Sequence, residues 1–182
     1  MRRVAFLGFS MLLLSSSQAL AGPLPRLANL HWLMNHSTQP AIAQQQAQPT
    51  IITLQRTACF GFCPMYKVTI YGDGKVVYEG ERFVKETGTR TTKISRAAVQ
   101  QLVKEFKQVN YFTLNDSYTG GHTDAPSAIT SLTLGKQQKL VHHYMASPDA
   151  PETLKALEDR IDQVVNSQQW IGTDEERRPQ NR

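Results

Sequence analysis

Apolar and polar positions alternate through MYKVTIYGDGKVVYEG, Met65 to Gly80. Tyr66, Val68 and Ile70 share one side and Lys67, Thr69 and Tyr71 the other, the period of two that a half-buried strand requires. Gly72-Asp73-Gly74 supplies residues that tolerate positive φ, and KVVYEG returns with strand character, so the segment predicts a hairpin. Upstream, IITLQRT carries the β-branched enrichment of a strand from Ile51, and downstream GTRTTKI, Gly88 to Ile94, predicts another. At Ser95, a good helix N-cap, the period changes. Val99, Leu102, Val103, Phe106 and Val109 fall on one helical face, with Gln100, Gln101, Lys104 and Lys107 mostly opposite. A second hairpin follows from SAITSLTL and KLVHHYM on either side of GKQQ. A second helix is signalled by Asp149 and Pro151 near its start and by Leu154, Leu157, Ile161, Val164 and Val165.

The order strands, helix, strands, helix, joined by hairpins rather than strand-helix crossovers, predicts an α+β domain. Its expected form is an antiparallel sheet of five or six strands with two amphipathic helices packed on one face. The opposite face of such a sheet can stay wet, which suits the polar alternate positions. The domain spans 51–172, about 120 residues and long enough for one core. Before it, 22–50 is rich in Pro, Gln and Ala and predicts a flexible linker, with RLANLHWLMN, Arg26 to Asn35, able to form a turn or two of helix. After it, 173–182 has no apolar residue and predicts a disordered tail.

The first 21 residues change the picture of where the chain works. Arg2 and Arg3 precede an apolar run from Val4 to Leu14, then small residues and Ala19-Leu20-Ala21, the build of a secretory signal peptide cleaved after Ala21. The expected location is periplasmic or secreted, by the ordinary unfolded route. The apolar run is about half the roughly 20 residues of a spanning helix, and no later run is longer, so no membrane span is expected once the signal is removed. The formal charge of +5 falls to +3 without Arg2 and Arg3, and the charges are interspersed. With no basic stripe or cluster, nucleic-acid binding is disfavoured.

Export bears on the two cysteines, Cys59 and Cys63, the only ones in the chain. In an oxidising compartment a lone pair makes a structural disulfide the leading reading. Gly61, midway, would ease a tight turn, and Pro64 would stiffen its exit. The alternative is chemical. C-x-x-x-C-P resembles the copper-binding, thiol-active motif of the copper chaperones that help assemble cytochrome oxidase. Two thiolates with His122, His142 or His143 would suit Cu(I). In those chaperones the motif opens a helix; here it runs into a predicted hairpin, without the helix N-terminus that helps stabilise a thiolate. Zinc is weaker still, since only one cysteine pair exists and its spacing is not that of a knuckle.

A third reading concerns YTGGHTDAPS, Tyr118 to Ser127, which gathers His122, Thr123, Asp124 and Ser127 and allows a hydrolase-like nucleophile, base and acid. No nucleophile-elbow sequence supports it, and Asp124, two before Pro126, fits a turn residue whose carboxylate accepts backbone N–H groups. His142 and His143, adjacent on a strand, must point to opposite faces. No glycine-rich phosphate loop opens a helix. The expectation is therefore a non-enzymatic binding or interaction module. Its partner would be an envelope protein or a small ligand, and no cofactor is required.

CFGFCPMY, GDGKVVYEG, Tyr118 with the Asp124-Ala125-Pro126 loop, VHHY and LKALEDRID together resemble the bacterial domain of unknown function numbered 6438 across 51–172. The most specific part is C-x-G-x-C-P-x-Y, matched by Cys59, Gly61, Cys63, Pro64 and Tyr66. The resemblance supports the domain boundaries and implies no activity, cofactor or catalytic residue.

Overall fold

A computed structural model describes residues 49–120 and 124–177. The predicted signal peptide, nearly all of the predicted linker, His122 and residues 178–182 lie outside the described residues. Seven strands form one sheet: β1 (Thr50–Arg56), β2 (Met65–Tyr71), β3 (Lys75–Arg82), β4 (Gly88–Lys93), β5 (Ser117–Tyr118), β6 (Ser127–Leu134) and β7 (Gln137–Tyr144). Their order is β4-β3-β2-β1-β6-β7-β5. All pairings are antiparallel except that of β5 with β7. The expected five or six strands thus become seven. The additional one, β5, has only two residues, too few for any period to register in a sequence.

Helix α1 (Arg96–Gln108) begins where Ser95 Oγ accepts from Ala98 N at 3.1 Å, as its sequence requires. It buries Val99, Leu102 and Phe106. Helix α2 (Glu152–Val165) ends on Asn166 in the left-handed region, where asparagine is tolerated. It is followed by the short α3 (Gln168–Ile171) and α4 (Asp174–Arg177). Helix α4 lies inside the stretch expected to be a disordered tail. Lys85 Nζ donates to Glu176 Oε1 at 2.7 Å, and Glu176 Oε2 accepts from Thr173 N at 2.9 Å, which gives this apolar-free turn polar reasons to form. Lys85 holds the Glu176 carboxyl below its ordinary pKa.

The alternation read along β1 to β3 sets which side faces the helices. Ile52, Leu54, Val68, Ile70, Val76 and Tyr78 are fully buried and join Leu102, Phe106, Leu154 and Ile161 in one core. The other face carries Thr53, Lys67, Thr69 and Ser131, with Thr53 and Ser131 hydroxyls 2.6 Å apart. Glycine is required at two places. At Gly74 φ is +93° and a Cβ would stand 2.2 Å from Ile94 O; at Gly80 it would stand 2.2 Å from Glu86 O. The first closes the β2–β3 hairpin, and the second lets the chain after β3 fold back against that strand.

Candidate functional site

Register brings one row of helix-facing positions to the end of the sheet where β1 finishes. His143 stands opposite Ala128, Ala128 opposite Arg56, and Arg56 opposite Tyr66. Above this row α2 places Glu158, Asp159 and Asp162, the first and last of them one turn apart. Arg56 donates to Asp162 Oδ2 from Nη2 at 3.0 Å and from Nε at 3.3 Å, and to Asp159 Oδ1 at 3.2 Å. Its Nη1 lies 3.8 Å from Glu158 Oε2. Tyr66 Oη and Ser167 Oγ each donate to Asp162 Oδ1 at 2.7 Å. His143 Nδ1 lies 3.0 Å from both oxygens of Glu158, a carboxylate with no solvent exposure.

Electrostatics follow from this packing. Burial disfavours the Arg56 charge, but the adjacent Asp162 carboxylate, with help from Glu158, more than offsets it and holds the guanidinium above its already high pKa. Burial, then Asp162, pushes the Tyr66 phenol well above its ordinary value. Both Asp162 oxygens are thus taken by four donors. The cluster fastens α2 and the start of α3 to the sheet; at its edges Arg56 Nη1 reaches Met145 Sδ at 3.3 Å and Asp159 Oδ2 accepts from Lys155 Nζ at 2.6 Å.

Beyond β1 the chain turns through Cys59-Phe60-Gly61-Phe62-Cys63. The two cysteines form a disulfide with Cα atoms 5.6 Å apart. Joined in this way, the sulfurs offer no thiolate to a soft metal ion. Gly61 has no positive φ, and a Cβ there would meet Cys59 Sγ at an ordinary 3.7 Å, so the turn does not demand the glycine as expected. The loop is also held by Phe60 N donating to Asp124 O at 3.0 Å. Phe60 is 90% exposed and Phe62 50% exposed at its tip. Phe62 meets Phe83 edge to face at 5.3 Å, and the Arg82 guanidinium lies 5.0 Å from the Phe83 ring centre.

Next to this knob runs a groove. A cavity of about 210 Å³ is bounded by Phe62, Cys63, Pro64, Asp174 and Arg177. Another of about 500 Å³ shares Pro64 and Arg177 and continues past Tyr66 to Asn166 and Gln168.

Among the described residues, those singled out as possible ligands or catalysts form no shared site. His143 is buried against Glu158, while His142 is half-buried on the opposite side of β7, as strand alternation requires. Asp124 is exposed at the loop that anchors Phe60, Ser127 N is bonded to Thr57 Oγ1 at 2.8 Å in the sheet, and His122 and Thr123 lie outside the described residues. Among the described residues no group of three His, Cys, Asp or Glu is arranged to hold a metal. Nor does any helix among them have the length and apolarity to cross a membrane.

A family model, Domain of unknown function (DUF6438), matches residues 50–165. The chain belongs to this family. No curated protein matches the chain. The DUF6438 match runs from the first residue of β1 to the last of α2, so it contains the disulfide, both hairpins and every member of the polar cluster except Ser167.

Within this DUF6438 domain, Arg56, Tyr66, Glu158 and Asp162 were not foreseen as a group. The signals were nonetheless present. Arg56 is in phase with buried Ile52 and Leu54, and Glu158 and Asp162 fall on the α2 face carrying Leu154, Ile161 and Val165. A charge in phase with the apolar set calls for an opposite charge on the facing element.

Proposed function

We propose that this DUF6438 domain is an exported binding module whose contact face is the disulfide-stapled loop at the end of β1. The observation that carries the reading is Phe60, a large apolar side chain 90% exposed at the tip of a loop closed by Cys59 and Cys63. A ring held in water by a cross-linked turn gains nothing for the fold, and its burial against a partner would recover the hydrophobic free energy. The cross-link limits the conformational entropy lost when that partner is met. The polar cluster supports a binding rather than a catalytic role, because Asp162, Tyr66, Arg56 and Ser167 are mutually engaged.

Export is supported by the Arg2-Arg3 and Val4–Leu14 leader and by a disulfide in a chain with no other cysteine. Fractionation of cells producing the full chain tests it. The mature protein is expected outside the cytoplasm with an intact mass beginning at Gly22; a cytoplasmic chain retaining Met1 to Ala21 would overturn it.

A further inference from the structure

The knob and the groove beside it are continuous, because Phe62 and Cys63 border the smaller cavity and Pro64 and Arg177 border both. We infer that they form one docking face for a protein partner, with an apolar socket receiving Phe60 and an extended segment lying along the groove. This rests on the binding-module reading and names its partner class.

Three observations favour that occupant. A bilayer can receive a convex ring but cannot fill an adjoining groove. Two phenylalanine side chains also transfer less apolar surface than one myristoyl chain, itself a marginal anchor. The groove presents the amides of Gln163 and Asn166, with Gln168 Nε2 already donating to Gly172 O at 2.7 Å, beside the engaged Tyr66 and Asp162 and apolar Ile171 and Pro64. Side-chain amides both donate and accept, which suits the N–H and C=O groups of an extended backbone. At the rim, Arg82 is exposed and forms no ion pair with a carboxylate among the described residues, so the partner's socket is expected to carry an acidic residue at its edge.

The test places photoreactive p-benzoylphenylalanine at position 60 of the full chain. The control carries it at Lys136, in the β6–β7 turn at the opposite end of the sheet. Cells producing each form are irradiated and the adducts identified by mass. The expected result is one protein adduct at position 60 that is absent at 136. That protein, once purified, should bind the wild-type chain and bind at least tenfold more weakly to Phe60→Ser, to Arg82→Glu and to Gln163→Trp, which fills the groove from an exposed helical position. Adducts confined to phospholipid, or to a second copy of the chain, would overturn the inference while leaving a binding module in place. No adduct at 60 above the 136 control would overturn both. A partner indifferent to Gln163→Trp would remove the groove from the face.

Discussion

Tyr66 and Asp162 meet at 2.7 Å, phenol donating to carboxylate, across 96 residues of chain. The contact ties β2 to α2 on the residue that also receives Arg56 and Ser167, so one carboxylate links the sheet, the long helix and the short helix after it.

Removing that carboxylate should therefore act on the fold. Asp162→Ala leaves the Arg56 guanidinium, only 11% exposed, with Asp159 as its remaining hydrogen-bonding carboxylate. Breaking a buried ion pair from one side destabilises by about 3–5 kcal/mol, and the 19% exposure of Asp162 places this case near the lower end. Urea unfolding followed by circular dichroism should show a loss of about 3 kcal/mol.

His143 and Glu158 permit a sharper separation. His143→Leu takes the hydrogen-bond partner from a carboxylate with no solvent exposure, leaving only the Arg56 guanidinium 3.8 Å away to offset its charge, and is expected to lose about 3 kcal/mol. The double variant His143→Leu, Glu158→Leu replaces both partners with apolar side chains and should return most of the loss. A double-mutant cycle in urea checks this. Equal losses for the single and double variants would mean that shape, rather than charge, dominates the contact.

The buried phenols set the alkaline limit. Burial and the Glu86 carboxylate push Tyr78 up to about 12, and burial leads in raising Tyr66 and Tyr111 as well. Folded pKa values above the unfolded value of about 10 mean the native state holds these protons more tightly. Their contribution to stability is complete below pH 10 and declines above it, that of Tyr78 being lost as pH rises through about 12 and those of Tyr66 and Tyr111 at higher pH still. Absorbance at 295 nm should show these ionisations coinciding with loss of the circular dichroism signal.

Phe60→Ser should behave in the opposite way to Asp162→Ala. A side chain 90% exposed contributes little to the core, and its replacement should shift the unfolding free energy by no more than about 0.5 kcal/mol. A larger loss in urea would show that the ring packs onto the domain.

Most of the frame was legible because it depends on local period. The β2–β3 hairpin, the Ser95 cap of α1 and the apolar stripe of α2 each follow from spacing alone. β5 was not legible, since two residues paired parallel to β7 owe their place to a distant strand. The polar cluster was half legible. Arg56 in phase with Leu54, and Glu158 four residues before Asp162, announce buried charges, but which side chains meet is decided by strand register across the sheet. The cysteine pairing was legible because nothing else in the chain could pair, whereas the exposure of Phe60 depends on how the closed loop projects. A sequence apolar at that position reads the same whether the ring points in or out.

The central claim, a loop stapled to present Phe60, is tested most directly by the thiol state of protein taken from its own compartment. Denatured without reductant and treated with iodoacetamide, the chain should show no added mass and a value two hydrogens below that of the reduced form. After reduction it should take up two carbamidomethyl groups and lose about 2 kcal/mol in urea, as expected for opening so short a loop. Two freely alkylated cysteines before reduction would contradict the account.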